Sequence, residues 1–129
     1  FELGLAAHRI GPVAPTVRGG MAAALDIVRA EHTAVQAYND LVGVGVLKGL
    51  RAAGVDVPGQ VSVVGFDDTL PADLVVPGLT TVASPSVLLG RSGVQTLVAM
   101  RQGAQPRTDQ ATVLPVHLLV RESTGPART

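Results

Sequence analysis

Helix-like and strand-like segments alternate along this sequence of 129 residues. That alternation predicts an α/β lobe: a parallel sheet with helices on its faces, three layers deep. Two observations carry the expectation. Three segments repeat apolar residues with helical period and have suitable ends. Between them lie short runs rich in Val, the clearest being Val61 to Phe66. That run is almost continuously apolar, as a strand covered on both faces of a parallel sheet should be.

The first helix is expected after Thr16, whose hydroxyl can cap it. Met21, Ala24, Leu25 and Val28 then form one apolar face, with Arg29 in the last turn, where a cation suits the helix dipole. The second is expected to be capped by Asp40, with Val42, Val46, Leu50 and Ala53 as its buried stripe and Gly54 and Pro58 ending it. The third should start with Ser84 as cap and Pro85 at the first helical position. Leu89, Gly93, Leu97 and Met100 make its stripe, and Gly103 closes it. Strands are expected at Thr33 to Tyr38, at Val61 to Phe66 and at Val113 to Val120, where Pro115 argues for an edge or a bend. A weaker one falls near His8 to Val13, and the tail 124–129 is expected to be loose.

Composition narrows the function. The sequence is 47% hydrophobic but holds only two Phe, one Tyr and no Trp, so Val, Leu and Ala must build the core. Ten Lys and Arg balance ten Asp and Glu without a basic run, which argues against these residues themselves binding nucleic acid. Cysteine is absent, so neither a disulfide framework nor thiolate chemistry is expected, which suits a reducing cytoplasm. No apolar run is long enough to span a bilayer. Phe1 is not an initiator Met, and the opening residues read as the tail of an element, so a fragment is expected.

Ligands of open parallel α/β sheets bind beyond the carboxyl ends of the strands. Two consecutive strands here finish in polar residues at that edge: Tyr38-Asn39-Asp40, and Gly65-Phe66-Asp67-Asp68. An Asn amide both donates and accepts, and a carboxylate accepts from paired hydroxyls, so Asn39 and Asp67 could grip a polyhydroxylated or amide-bearing ligand. Equally, such residues cap helices and shape turns in any protein. The stretch Gly43-Val44-Gly45-Val46-Leu47-Lys48-Gly49 invites comparison with a dinucleotide fingerprint. Its first Gly falls inside the helix, however, and an acid at the helix start would repel a pyrophosphate, so close packing is the preferred role of these glycines. A phosphorylated receiver domain fails on the order of its acids and its single Lys. His8, His32 and His117 lack ligand spacing, so no metal is expected, and the serines lack a nucleophile context. No catalytic residue and no cofactor is expected.

From about Thr33 to Thr124 the sequence resembles the C-terminal part of the effector-sensing region of LacI/GalR-family regulators. The ordered motifs are AVQAYND, GVGVLKGLRAAGVDVPGQVSVVGFDD, VPGLTTV, GRSGVQTL and LPVHLLVREST. The resemblance implies an incomplete lobe of the periplasmic-binding-protein-like fold, with the DNA-binding helix-turn-helix domain absent from this sequence. It implies effector contacts from Asn39 and Asp67 and a weaker one from Ser86, with Asp40 and Asp68 structural. It also implies that residues 84–114 cross to a missing N-terminal lobe, so the stripe Leu89, Leu97 and Met100 should be covered by something outside this lobe. Its partners would be a small sugar-like or purine-like effector, a second copy through the helix from Asp40 and the segment Ala72 to Pro77, and operator DNA through the missing domain, in the cytoplasm. The alternatives are a solute-binding protein of a sugar transport system and, more remotely, an NAD-type enzyme domain.

Overall fold

The computed structural model describes residues 7–105 and 113–126. Four strands form one sheet in the order β1 (Ala34–Gln36), β2 (Ser62–Asp67), β3 (Thr80–Ala83) and β4 (His117–Leu119). The first three run parallel, with Gln36 opposite Val64 and Asp67 opposite Ala83. β4 returns antiparallel against β3, pairing His117 with Ala83. Four helices complete the order: α1 (Val17–Arg29), α2 (Asp40–Ala52), α3 (Leu70–Leu74) and α4 (Ser86–Arg101).

The core lies between α1, α2 and one sheet face, where Ile27, Val46, Leu50, Val63 and Leu79 are fully or almost fully buried. On the other face Val64, Phe66 and Val82 are half-buried and Gln36 is exposed. The unbroken apolar run of β2 therefore encodes a second cover, while the described residues supply the first.

The start of α1 and the C-terminal helix ends follow their sequence signals. Thr16 caps α1, its hydroxyl accepting from the Gly19 N–H at 3.1 Å. Gly54, at φ +74°, ends α2: Val55 N–H donates to Leu50 and Gly54 N–H to Arg51, the paired reverse bonds of a left-handed C-terminal cap. Gly103 ends α4 and Glu31 ends α1 in the same way.

Several expectations need correction. The cap of α2 is Asn39, whose Oδ1 accepts from the Val42 N–H at 3.0 Å; Asp40 is the first helical residue and is buried. α4 begins at Ser86 without a side-chain cap, because Pro85 sits outside helical geometry at ψ 61° and Ser84 meets the helix only through its carbonyl oxygen, which accepts from the Ser86 N–H. The buried face of α1 is Gly19, Gly20, Ala23, Ala24 and Ile27, leaving Met21, Leu25 and Val28 exposed. Periodicity weights large side chains, but this face is chosen by close approach, where small residues fit. Ala53 is likewise exposed, because α2 has ended by then.

His8 to Val13 forms no strand, since Gly11 adopts φ +127° and Pro12 has no N–H to pair. β4 is confined to three residues after Pro115. The strand β3 and the short helix α3 were not read as elements from the sequence. The tail is anchored at its start, where Thr124 shares a hydrogen bond with Thr80 and Gly125 N–H donates to Ser62; residues 127–129 lie outside the described part.

Candidate functional site

The three parallel strands deliver Asn39, Asp67 and Ser86 to the same edge of the sheet. β2 ends on Asp67 itself, while Asn39 and Ser86 follow the last residues of β1 and β3. β1 and β2 are neighbours in the sheet, so Asn39, three residues after the end of β1, and Asp67, the last residue of β2, follow adjacent strand ends. Ser86 opens α4 and is exposed.

The two acid-bearing turns differ in how their atoms are used. Asp40 is a structural hub, fully buried beneath the edge. Its Oδ2 accepts from the Thr69 N–H at 2.6 Å and the Thr69 hydroxyl at 3.1 Å, and its Oδ1 accepts from the Thr81 hydroxyl. A buried carboxylate accepting three hydrogen bonds cannot leave its post cheaply. Gly65 is required beside it, since a Cβ there would run into the Asp40 carboxylate and Leu79.

Asp67 and Asp68 both adopt positive φ, +109° and +58°, a backbone region that non-glycine residues rarely enter. Strain of this kind persists only where surroundings hold it. Thr69, tied to Asp40, holds one side of the turn. Asp68 is held by Arg121, whose Nη2 donates at 2.9 Å. The carboxylate of Asp67 has no hydrogen-bond partner among the described residues, and neither has the amide N–H2 of Asn39. Burial first, and the neighbouring Asp40 carboxylate second, push the Asp67 carboxyl above its ordinary value. The edge therefore offers an unused donor group on Asn39 and an unused, partly desolvated acceptor on Asp67.

The glycines of α2 are accounted for by packing. A Cβ on Gly45 would strike the Val17 carbonyl oxygen, one on Gly49 the Ala24 Cβ, and one on Gly43 Leu79 at 2.8 Å. None lies in a phosphate-binding turn, and Asn39 already occupies a helix N–H that such a group would need.

A hollow of about 300 Å³ runs beside β1, lined by Ile10, Val13, Ile27, Val35, Ala37 and other residues. It is mainly apolar and includes neither Asn39 nor Asp67, so it is distinct from the polar edge. Among the described residues no group of three or more His, Cys, Asp or Glu could hold a metal ion. No described helix is long and apolar enough to cross a membrane.

Strand order placed Asn39 and Asp67 at one edge, and the family resemblance added Ser86 and took Asp40 and Asp68 as structural; the contacts of Asp40 and Asp68 are of that kind. Sequence reading missed Thr69, Thr81 and Arg121, the partners that fix the acids. Their only sequence signal was residue type: hydroxyls and a cation that topology had still to bring near.

An open parallel α/β lobe with polar side chains gathered beyond its strand ends belongs to the binding-protein class of folds. Over residues 2–124 the chain matches the periplasmic binding protein-like domain, and it belongs to that family in the form carried by LacI/GalR-type regulators.

Among its relatives is the HTH-type transcriptional regulator MalR of Streptomyces coelicolor, 38% identical over 112 residues, which cover 87% of this chain and 32% of that protein. Among solved structures it is similar to the transcriptional regulator CelR–cellobiose complex, with TM-score 0.79 and 39% identity over 86% of this chain and 34% of that one. It is similar also to a LacI family transcriptional regulator from Arthrobacter sp. FB24 in complex with lactose, with TM-score 0.76 and 33% identity over 88% of this chain and 43% of that one. The chain thus spans about a third of the length of the curated relatives it matches.

Proposed function

We propose that this chain forms one wall of an effector cleft in a LacI-type DNA-binding regulator, and that Asn39 and Asp67 hold a sugar-like effector there. The observation that carries the reading is the pair of uncommitted polar groups, one donor and one acceptor, at the carboxyl ends of adjacent parallel strands. Sugars suit this pair, because vicinal hydroxyls can donate to a carboxylate and accept from an amide together. The cellobiose and lactose complexes of similar regulators favour this class over a purine-like ligand. Ser86 is a third, weaker contact.

In this reading the second wall belongs to a further lobe, and α4 crosses to meet it. Effector binding biases the arrangement of the two lobes, and a homodimer passes that bias to operator-binding heads. The exposed side chains of Leu74 and Val76, on the segment expected to face a second copy, support a dimer. The role is that of a cytoplasmic sensor rather than an enzyme, in keeping with the regulators among its relatives.

The test is calorimetric titration of the full-length protein with cellobiose and with lactose, comparing wild type with Asn39→Ser and Asp67→Asn. Ser keeps an oxygen for the helix cap but lacks the amide donor. A site role predicts loss of affinity by about tenfold or more in each variant, the scale of a hydrogen bond to a charged group. Unchanged affinity in both variants would refute the assignment.

A further inference from the structure

Arg121 makes contacts unlike those of any other cation among the described residues. Its guanidinium joins three separate pieces of chain at once. Nη1 donates to the Leu79 carbonyl oxygen at 2.8 Å, Nη2 to Asp68 Oδ1 at 2.9 Å, and Nε lies 3.3 Å from Asp73 Oδ1 on α3. Its backbone N–H also donates to the Thr80 hydroxyl at 2.9 Å. The side chain is only 18% exposed, so solvent does little to loosen the fork. The Asp68 hydrogen bond first, then the fields of Asp68, Asp73 and Asp40, hold the guanidinium pKa above its ordinary value against the opposing pull of burial. It is therefore a permanent cation.

What that cation grips is the strained turn. Asp68 follows Asp67 directly, and both occupy the positive-φ region. Thr69 is fixed from beneath by Asp40. The Asp67 side chain has no hydrogen bond of its own among the described residues, so beyond the β3 pairing of its backbone its direction is set by its neighbours. Asp40 secures one of them, and Arg121, 53 positions further along the chain than Asp68, secures the other.

We propose that Arg121 is a positioning residue for the effector site: through Asp68 it holds the turn that presents the Asp67 carboxylate. The role as part of an effector site rests on the reading of Asp67 given above; the mechanical claim does not. Arg121 follows β4, the strand by which the chain re-enters the sheet after α4. A shift of that strand is transmitted to the Asp67 turn through one rigid, planar group.

The experiment uses the full-length protein labelled with ¹³C at Asp side-chain carboxyls. The Asp67 resonance, assigned by its loss in Asp67→Asn, is followed through an acid titration without ligand in wild type, Arg121→Met and Asp68→Asn. Asp68→Asn is the milder variant, because Asn tolerates positive φ. The charged groups around the turn are Asp40, Asp68, Asp73 and Arg121.

Removing a nearby cation by itself raises a carboxyl pKa or leaves it in place. Releasing the turn does the opposite, returning Asp67 to water and away from Asp40. The diagnostic result is a fall in the Asp67 pKa in Arg121→Met, where charge removal alone acts the other way. Asp68→Asn falls in any case, because it also removes a neighbouring negative charge, and adding Arg121→Met to it should bring no further fall. Arg121→Lys, which keeps the charge but lacks the fork, should fall between wild type and Arg121→Met.

Cellobiose and lactose titrations run alongside, where release of the turn should weaken affinity about tenfold, within the usual coupling between residues in contact. An Asp67 titration unchanged or raised in Arg121→Met overturns the proposal, whatever the sugars do. A fall in the Asp67 pKa with no sugar bound by wild type upholds the positioning role and removes the sugar reading instead.

Discussion

Helices α2 and α4 look alike as sequences and behave oppositely in the fold. Both have an apolar stripe, internal glycines, a basic residue in the last turn and a left-handed cap at the C-terminus. Yet eight of the 13 residues of α2 are buried, and none of the 16 in α4 is. Leu50 is completely enclosed, while Leu89 and Leu97 are 63% and 66% exposed. The glycines repeat the contrast. Those of α2 sit where a Cβ would collide with α1 or the sheet, whereas Gly90 and Gly93 face open space.

An amphipathic pattern thus states that a face requires a partner, without saying where the partner is. For α2 the partner is α1 and the sheet. For α4 nothing among the described residues fills the role, and an apolar face of this size left in water marks a surface for packing. We propose that a second lobe covers it, as the crossing of residues 84–114 expected from the sequence requires.

The contrast can be broken most forcefully at the leucines. In this chain Leu50→Ala should cost about 3 kcal/mol, combining lost burial with the cavity left behind. Leu97→Ala should stay within about 0.5 kcal/mol, as exposed substitutions do. Urea unfolding reads both, and similar losses would show that α4 is packed in solution.

The glycines sharpen the comparison, because the sign should change. Gly45→Ala forces α1 and α2 apart and should destabilise by about 2 kcal/mol. Gly93→Ala meets nothing and should stabilise by about 1 kcal/mol through helix propensity. A loss at Gly93 in the full-length protein, set against a gain in this chain, would locate a close contact on α4.

The smallest effect is expected at Asp67. Its folded-state pKa is raised above the ordinary 3.8, so the folded state binds its proton more readily than the unfolded chain. That contribution to stability is complete below the unfolded pKa and is lost as pH rises through the folded one. Asp67→Asn should accordingly be more stable than wild type at neutral pH, by no more than about 0.5 kcal/mol for a partly exposed site. The gain should shrink as pH falls through the raised pKa toward the ordinary value. Thermal melts across that range check the sign, and an advantage independent of pH would point to the backbone alone.

Much of this was legible in the chain itself. Thr16, Gly54 and Gly103 mark their helix ends through local geometry, and Val61 to Phe66 announces the central strand. Asn39 and Asp67 could be set at one sheet edge because parallel strands order their ends by topology. Where the reading erred, the deciding contact was distant. Asp40 has the chemistry of a cap, and only Thr69 and Thr81, 29 and 41 residues away, make it a buried hub and leave the cap to Asn39. The working face of α1 was read correctly only at Ala24, because Gly20 matters for the size it lacks, which becomes visible only when α2 lies against it.

The sequence by itself therefore determined the broad alternation of helices and strands, the C-terminal helix ends, the parallel sheet and the polar strand edge. These follow from short-range backbone preference and from the period of apolar residues. Tertiary structure alone decided which face of α1 is buried, that Asp40 is a buried hub and not a cap, and that Arg121 reaches the Asp67 turn. Such outcomes depend on distances between residues far apart in the chain, and no local preference encodes a distance until the fold has closed it.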